Sequence, residues 1–339
     1  MKILFAATVG VVNDETFAKF IDSVHELMPE CEVARLKDDP YPSPEEDAQF
    51  IEAAKGANII ITQYQKISDA AYDALCPDLK GVVAFGIGYN SCNVEYATKK
   101  GVYVANVPNY CLEEVAAHVV ALLMAEQRRL KSLIRWIDNG NWGGGFKCIA
   151  PVKRLSRQVI GLYGFGKIAK TVAKLVSGFG SPIIAFDPWV SQEAADKLGY
   201  GVKMVDFDTL LAESDYISCH MPLLPSNTGV FNKDAFKKMK NSAVFINTAR
   251  GGLTVPEDLY EALTTGEIYG AAIDAYITEP PTGIEKKISE LDNVLSTPHV
   301  GYYTDDSFVD LMQQTAECAV DLLNGKDPGT TINKELWNK

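Results

Sequence analysis

Short apolar runs alternate with amphipathic segments over the first 105 residues of the chain. Apolar runs of four or five residues are typical of buried strands, and segments with an apolar residue every three or four positions are typical of helices. Strands that alternate with helices favour a parallel sheet covered by those helices. The predicted strands are 3–7, 32–36, 58–62, 82–85 and 102–105, and the helical patterns between them include 14–27 and 44–54.

The same alternation returns at residue 158 and continues almost to the end of the chain. Six strands at this spacing predict a second α/β domain, a doubly wound parallel sheet. The predicted strands are 159–163, 182–186, 216–219, 243–247, 270–273 and 293–296, followed by an amphipathic helix over 304–324.

A different pattern separates the two halves. Residues 113–129 form a helical pattern rich in Ala, Val and Leu, and Trp136, Gly140, Trp142 and a run of three glycines follow it. The change predicts an irregular arm between two domains. Exposed aromatic residues are enriched at protein interfaces, so we expect this arm to pack on a partner subunit.

One glycine loop lies between the first strand and the first helix of the second half. Gly164-Phe165-Gly166-Lys167-Ile168-Ala169 has the Gly-x-Gly-x-x-Gly/Ala spacing of a dinucleotide-binding turn, with Gly164 and Gly166 as the two glycines. Asp187 follows Gly166 by 21 residues, at the end of the next predicted strand. An acid at that distance accepts hydrogen bonds from an adenosine ribose. The first half lacks such a loop, so we expect the second half to bind the dinucleotide.

Composition narrows the classes of partner. The chain has 339 residues, 47% of them hydrophobic and 22% charged, which is typical of a globular protein of about two domains. Its net charge of −12 argues against nucleic-acid or membrane-surface binding, which needs basic patches. The seven cysteines form no Cys-x-x-Cys pair, so we expect reduced thiols, no metal site and a cytoplasmic protein. The apolar stretches are too short for a signal peptide or a membrane-spanning helix, so we expect neither a targeting nor a membrane-spanning segment.

Reactive side chains follow three neighbouring strands of the second predicted sheet. Arg250 follows strand 243–247, Asp274 and Glu279 follow 270–273, and His299 follows 293–296. Ligands of open α/β sheets bind outside the carboxyl ends of the strands. A His beside a carboxylate is a suitable proton donor for a ketone that receives a hydride, and a guanidinium can hold a carboxylate through two hydrogen bonds. The sequence therefore predicts a hydride-transfer site.

The chain contains four histidines, and their positions differ. His25 and His118 lie in predicted helices, so we interpret them as structural. His220 closes a predicted strand and is expected to line the cofactor, whereas the position of His299 suits acid–base catalysis. Asp274 is expected to bind the nicotinamide amide.

These segments together resemble the D-isomer-specific 2-hydroxyacid dehydrogenase family over nearly the whole chain. The resemblance is carried by the glycine loop with Asp187 and by segments of both halves. These are Gly86-Ile87-Gly88-Tyr89-Asn90, Asn106-Val107-Pro108-Asn109-Tyr110, Cys219-His220-Met221-Pro222-Leu223, Asn247-Thr248-Ala249-Arg250-Gly251-Gly252, Asp274 through Glu279-Pro280, and Thr297-Pro298-His299.

The resemblance implies two Rossmann-like domains with the active site in the cleft between them. The first is a discontinuous substrate-binding domain, residues 1–105 plus 300–339. The second is an NAD-binding domain, residues 106–299, including a linker helix and dimerisation arm at 113–150. The family is usually homodimeric. It reduces a 2-ketoacid to an (R)-2-hydroxy acid, as a D-lactate dehydrogenase does.

The resemblance also implies roles for individual residues. His299 is the acid/base, Glu279 its partner, and Arg250 orients the substrate carboxylate or carbonyl. The backbone N–H groups of Ile87 and Gly88 bind the substrate carboxylate, and Tyr110 and Tyr302 line the substrate pocket. The implied cofactor contacts are Gly164, Gly166, Lys167, Ile168, Asp187, His220, Met221, Pro222, Asn227, Thr248, Ala249, Arg250, Asp274 and His299.

Charge predicts the cofactor. Asp187 would repel the 2′-phosphate of NADP, and Pro188-Trp189-Val190 offers no cation to bind one, so we expect NAD. Two alternatives remain. One is a formate- or phosphite-type dehydrogenase, although relatives that oxidise formate typically have Gln at the position of Glu279. The other is an NAD-sensing scaffold similar to the family's transcriptional corepressors.

Overall fold

A computed structural model of the chain describes residues 1–6, 12–36, 44–63 and 65–338. They divide into two compact units, Met1–Cys111 with Thr304–Lys339, and Leu112–Tyr303. In these ranges no helix has both the length and the apolar character that crossing a membrane requires.

The first unit is built on a five-stranded parallel sheet with the order β2-β1-β3-β4-β5. This is the 2-1-3-4-5 order of one of the two common doubly wound sheets. Its elements are β1 (Lys2–Ala6), α1 (Asp14–Leu27), β2 (Glu32–Arg35), α2 (Pro44–Ala54), β3 (Ile59–Thr62), α3 (Asp69–Leu75), β4 (Gly81–Ala84), α4 (Val94–Lys100) and β5 (Tyr103–Asn106), completed by a C-terminal helix, Asp305–Leu323. Each predicted strand lies within one residue of an observed one, and Ala7 lies outside the described residues.

The second unit is built on a seven-stranded parallel sheet. Its elements are α5 (Leu112–Gln127), α6 (Leu130–Asp138), α7 (Phe146–Ile149), β6 (Ile160–Tyr163), α8 (Lys167–Val176), β7 (Ile183–Phe186), α9 (Gln192–Asp196), β8 (Val202–Met204), α10 (Phe207–Glu213), β9 (Tyr216–Cys219), α11 (Lys233–Lys238), β10 (Val244–Asn247), α12 (Pro256–Thr265), β11 (Gly270–Ile273), α13 (Gly283–Glu290) and β12 (Val294–Ser296). The C-terminal helix of the first unit, Asp305–Leu323, is therefore α14.

The strand order of the second sheet, β12-β11-β10-β9-β6-β7-β8, reverses between β6 and β9. In such a sheet the ligand-binding crevice lies at the carboxyl ends of the strands, at the point of reversal. The glycine loop follows β6 and therefore lies at that point. The two parallel sheets with flanking helices confirm the predicted α/β class.

Two features of the second unit differ from the prediction. The sheet has a seventh strand, β8, which pairs with the edge of β7. Its three residues include the exposed Lys203, too short and too polar to show as an apolar run. The arm is also more regular than expected, because residues 130–138 form α6 and bring Trp136 into a helix.

The unit boundaries lie a few residues beyond the predicted 105 and 299. Asn106 Nδ2 donates to the Ile87 carbonyl (2.7 Å), and Val107 N donates to the Gly86 carbonyl (3.0 Å), so this segment belongs with the first unit. At the other end, residues 300–303 stay with the second unit.

Apolar side chains from the strands and helices form the cores. In the first unit a cluster of buried residues lies around Leu4, Ile60, Val82 and Val104. In the second unit two clusters form, one including Ile217, Phe245 and Ala271 and the other including Leu162, Val244 and Ala272. Neighbouring residues of a strand belong to different clusters, because side chains alternate between the two faces of a sheet. Parallel sheets covered on both faces therefore read as continuous apolar runs.

Candidate active site

The glycine loop between β6 and α8 has the shape needed to receive a phosphate group. Gly164 has φ +97°, and a Cβ atom there would lie 2.8 Å from the Met221 nitrogen, so only glycine fits. A Cβ at Gly166 would meet no atom within 4 Å, so the loop is open at that point. Gly166 caps α8 without a side-chain hydrogen bond. Such a helix N-terminus presents amide donors and a positive dipole end to an anion.

Asp187 fixes the other end of this loop. Its Oδ2 accepts a hydrogen bond from Phe165 N at 2.8 Å, and its Oδ1 accepts one from Trp189 N at 2.9 Å. Each carboxylate oxygen can accept a further hydrogen bond. The partly exposed Asp187 therefore has the capacity to accept hydrogen bonds from ribose hydroxyls beside the loop.

Two buried polar atoms, one just after β9 and one just after β10, lack a hydrogen-bond partner within the described residues. These atoms are His220 Nε2 and Thr248 Oγ1. Burial lowers the pKa of His220 to about 3, so its ring is neutral at physiological pH. Buried polar atoms without partners are costly unless a ligand or water satisfies them. Together with the open glycine loop, these atoms fit a polar dinucleotide lying along the carboxyl edge of the sheet.

Asn227, one of the predicted cofactor contacts, bonds through its side chain to the backbone of the turn after β9. Its Oδ1 accepts from Leu224 N (2.7 Å) and its Nδ2 donates to the Pro222 carbonyl (2.8 Å). Asn227 is buried and holds the turn after β9 through these bonds. The remaining predicted cofactor contacts lie near the same edge of the sheet. Lys167 and Pro222 are exposed, Ile168 and Ala249 are partly exposed, and Met221 is buried.

Arg250 is positioned by the end of β10. Asn247, the last residue of that strand, accepts from Ala249 N at 3.0 Å and donates through Nδ2 to the Arg250 carbonyl at 2.9 Å. These bonds fix the backbone on both sides of the arginine. Its guanidinium donates to the Ala249 carbonyl through Nη1 at 2.6 Å and is partly exposed.

His299 and Glu279 are in direct contact. Nδ1 of His299 lies 2.9 Å from Oε1 and 2.8 Å from Oε2 of Glu279, and each side chain is about 30% exposed. A carboxylate on Nδ1 favours the tautomer with the proton on that nitrogen and leaves Nε2 for proton transfer. Glu279 Oε1 also accepts from Tyr276 N at 3.0 Å. The strand order places β12, β11 and β10 side by side, so the chain positions that bear His299, Glu279 and Arg250 follow adjacent strands.

Asp274 holds the segment that carries His299. The Asp274 carboxylate is buried and accepts hydrogen bonds from the Thr297 hydroxyl, Val300 N (3.0 Å) and Gly301 N (3.0 Å). His299 itself has φ +52°, a left-handed conformation that is uncommon outside glycine. Burial alone would raise the pKa of Asp274, but these bonds and one from His118 outweigh it and hold the pKa below its usual value. Its role toward the nicotinamide amide stays a prediction.

His118 also belongs to this network, which the sequence did not indicate. Its Nε2 lies 3.0 Å from the Thr297 hydroxyl oxygen and 3.5 Å from Asp274 Oδ1. His118 is on α5, 179 residues before Thr297. An isolated histidine on an apolar helix carries no signal of such a contact, although Thr297 could have been suspected from its place two residues before His299.

The residues predicted to bind substrate lie in both units. In the first, Ile87 and Gly88 follow β4, and their N–H groups donate to no acceptor within the described ranges. Tyr110, also in the first unit, is buried. In the second, the ring of Tyr302 lies 6.4 Å from that of His299 in an edge-to-face arrangement.

Known proteins share this organisation. Residues 120–301 match the model of the D-isomer specific 2-hydroxyacid dehydrogenase NAD binding domain, which is more than half of the chain. A hydroxypyruvate reductase from Thermotoga maritima is 38% identical over 228 residues, 67% of this chain and 72% of the relative. A D-3-phosphoglycerate dehydrogenase from Archaeoglobus fulgidus is 33% identical over 282 residues, 83% of this chain. That alignment spans about half (52%) of the length of the Archaeoglobus protein.

The fold is also similar to that of a solved structure. The D-lactate dehydrogenase from Aquifex aeolicus complexed with NAD and lactic acid superimposes with a TM-score of 0.84 at 24% identity, over 97% of this chain and 98% of that chain. At this identity the likeness concerns the fold alone. The family match and the curated relatives, however, place the protein in one family with a defined cofactor. The chain is an NAD-binding member of the D-isomer specific 2-hydroxyacid dehydrogenase family.

Proposed function

We propose that the protein catalyses the NADH-dependent reduction of a small 2-ketoacid to an (R)-2-hydroxy acid. The observation that carries the proposal is the contact between His299 Nδ1 and the Glu279 carboxylate, beside the strand that bears Arg250. A paired histidine at the carboxyl edge of an NAD-binding sheet is suited to protonate an oxygen that gains charge during hydride transfer.

The proton and electron balance assigns the roles. NADH held at the glycine loop and Asp187 would supply the hydride, with its two electrons, that reduces the C2 carbon of the substrate. His299 donates a proton from Nε2 to the carbonyl oxygen, so that the C=O bond becomes C–OH. Glu279 accepts the hydrogen bond from Nδ1–H and stabilises the protonated ring before the transfer. In the oxidative direction the same ring accepts the proton.

Arg250 and the first unit supply anion-binding groups in this proposal. The Arg250 guanidinium orients the substrate carboxylate or carbonyl, since its planar donors match a pair of oxygens. The N–H groups of Ile87 and Gly88 bind the substrate carboxylate, a role supported by their lack of acceptors within the described ranges. Tyr110 and Tyr302 contact the substrate side chain, and their aromatic rings suit a small or moderately sized, partly apolar group.

The relatives name a narrow range of substrates. They include a hydroxypyruvate reductase and a D-3-phosphoglycerate dehydrogenase. All these substrates are short 2-keto or 2-hydroxy acids. We propose a substrate from this range for the present chain.

Two properties of the whole protein complete the proposal. We infer a homodimer from the exposed apolar residues of α6 and its surroundings. We infer a cytoplasmic location because six cysteines whose side chains the structure describes are free thiols, which is typical of a reducing compartment.

The loss of NADH absorbance with a panel of 2-ketoacids tests the reaction. The panel runs from glyoxylate, pyruvate and hydroxypyruvate to branched and aromatic ketoacids. We expect turnover with at least one, and His299→Ala should lower kcat by about 100- to 10,000-fold. Absence of turnover with every ketoacid despite NADH binding would refute the proposal and favour a scaffold or another hydride donor.

A further inference from the structure

In the part of the chain that the structure describes, no backbone carbonyl accepts a hydrogen bond from the amides of the 276–279 turn, which bears Glu279. It follows β11 and precedes α13, and the amides of Tyr276, Ile277 and Thr278 each donate to a side-chain carboxylate. Tyr276 N donates to Glu279 itself. The other two amides donate to Glu285, two residues inside α13. The conformation of the turn therefore depends on two acidic side chains.

Glu285 binds the turn with both carboxylate oxygens. Its Oε1 accepts from Ile277 N at 2.7 Å, and its Oε2 accepts from Thr278 N at 2.9 Å. Glu285 is buried, although charged residues of this kind are rarely buried without a specific partner. Charge-assisted bonds to backbone amides are among the stronger hydrogen bonds in proteins. A buried carboxylate that accepts hydrogen bonds from two successive backbone amides fixes both the position and the orientation of the peptide between them.

The 276–279 turn also contacts the segments that carry the other two candidate catalytic residues, Arg250 and His299. A Cβ atom at Gly251 would overlap the backbone of Tyr276 and Ile277, so the residue next to Arg250 packs directly on this turn. On the opposite side, the Tyr276 hydroxyl lies 2.7 Å from the hydroxyl of Ser296, the last residue of β12. His299 follows three residues later. A displacement of the turn would therefore reach Glu279 directly and the segments of Arg250 and His299 indirectly.

We propose that Glu285 is a positioning residue that holds the 276–279 turn so that the Glu279 carboxylate reaches His299 Nδ1. This inference rests on the proposed function, because it assigns Glu285 a role in that reaction. In this proposal Glu285 affects the reaction through Glu279. Nothing in its sequence context, Thr282-Gly283-Ile284-Glu285, resembles the motifs that define the family site.

Glu285→Gln tests the role with little change in size. The amide keeps one acceptor oxygen but turns an NH₂ group toward the second backbone N–H, so one of the two bonds is lost. We expect kcat to fall about 10- to 100-fold, because a small misplacement of a catalytic group has effects of this size. The KM for the 2-ketoacid and the NADH dissociation constant should stay within about threefold, because the proposed role of Glu285 is to position Glu279 and not to bind either ligand. Glu290→Gln, on the exposed side of the same helix, is the matched control and should match the wild type.

A double-mutant cycle with Glu279→Ala separates positioning from general damage. If Glu285 acts through Glu279, then adding Glu285→Gln to Glu279→Ala should change kcat by less than about twofold. An equal loss in both backgrounds, or a normal kcat in Glu285→Gln, would overturn the inference. If Glu285→Gln does not fold, Glu285→Asp decides by the same comparison, because its shorter side chain keeps the charge but cannot span both amides.

The same experiment distinguishes the inference from the function on which it rests. A wild-type protein without turnover, or a fully active Glu279→Ala, would refute the proposed function. A strong loss in Glu279→Ala together with an unaffected Glu285→Gln would refute only the positioning role.

Discussion

His299 occupies a backbone conformation that a histidine alone would not favour. Its φ of 52° lies in the left-handed region, which costs a non-glycine residue about 1–2 kcal/mol. The conformation persists because Asp274 accepts hydrogen bonds from Thr297 on one side and from Val300 and Gly301 on the other. Strained residues that their surroundings over-determine are concentrated at functional sites. The strain therefore supports the assignment of His299 independently of its contact with Glu279.

Asp187 gives a prediction about the choice of cofactor. We expect the wild type to use NADH with at least tenfold higher kcat/KM than NADPH, because a carboxylate next to a 2′-phosphate is repulsive. Asp187→Asn removes the charge while keeping an oxygen that can accept from Phe165 N or Trp189 N. We expect this variant to lower the NADH-to-NADPH ratio by about tenfold or more, measured from initial rates with both cofactors.

Glu193→Gln, an exposed change on the neighbouring helix α9, serves as the control for this prediction. Its ratio should equal that of the wild type. A higher kcat/KM with NADPH in the wild-type enzyme, or an unchanged ratio in Asp187→Asn, would contradict the assigned role of Asp187.

Residues with chemistry at a strand end could be predicted, whereas residues that act from a distance could not. Arg250, Glu279 and His299 were predicted to follow successive strands, and the structure places these strands side by side with their carboxyl ends at one edge. Glu285 was missed because an acid in the first turn of a helix is ordinarily a favourable partner of the helix dipole. His118 was missed because its contact with Thr297 spans 179 residues and leaves no periodic pattern.

Some strands and helices could likewise be predicted from the sequence, whereas others could not. The strands at 216–219 and 270–273 were predicted with their observed ends, because both are short, mostly apolar runs that are buried at every position. β8 was missed because an edge strand of three residues with a lysine at its centre lacks such a run. α6 was missed because the nearby tryptophans and glycines dominated the pattern of the arm.

The C-terminal end of α5 gives a prediction about stability and pH. Glu126 is buried there with Arg129, whose guanidinium carbon lies 3.2 Å from the centre of the Tyr269 ring. Burial raises the pKa of Glu126 to about 7, although Arg129 opposes the shift. Between about pH 4.5 and pH 7, Glu126 is therefore protonated in the folded state and ionised in the unfolded state. The contribution of Glu126 to stability is fully present below about pH 4.5 and is lost as the pH rises to about 7.

Glu126→Gln should remove this dependence. The free energy of unfolding of the variant, relative to the wild type, should rise between pH 5 and pH 8 by about 1–3 kcal/mol, since each pKa unit corresponds to about 1.4 kcal/mol. Urea unfolding at several pH values measures the difference. Glu113→Gln, an exposed change on the same helix, should give a curve parallel to that of the wild type. A parallel curve for Glu126→Gln would contradict the prediction.

At the scale of the whole molecule, the alternation of strands and helices predicted both sheets, and the resemblance to the family implied that the C-terminal segment returns to the first unit. The unit boundaries lie a few residues after the predicted ones, and the segments at 107–111 and 300–303 contain no helix or strand that would mark a domain end. Hydrogen bonds decide their membership, and these depend on Asn106, Val107 and Asp274 rather than on local pattern.

The surface of the arm gives the last prediction, which concerns the oligomeric state. Ile134, Ile137, Trp142 and Phe146 are 59%, 47%, 86% and 68% exposed within this chain. Four large apolar side chains within 13 residues form a patch of the kind that marks a protein interface. We propose that a second copy of the protein covers these side chains. Closed two-fold dimers are the commonest assemblies of soluble proteins.

Light scattering after size exclusion should therefore give a mass about twice the 37.1 kDa of one chain at micromolar concentration. Ile134→Glu places a charge in the patch and should shift the mass toward that of one chain, because an unpaired buried charge costs several kcal/mol. Val309→Glu, on the exposed side of α14, introduces the same charge at a position that is 57% exposed and should leave the mass unchanged. A wild type with the mass of one chain would refute the dimer. A dimer that survives Ile134→Glu but not Val309→Glu would instead place the interface on the first unit.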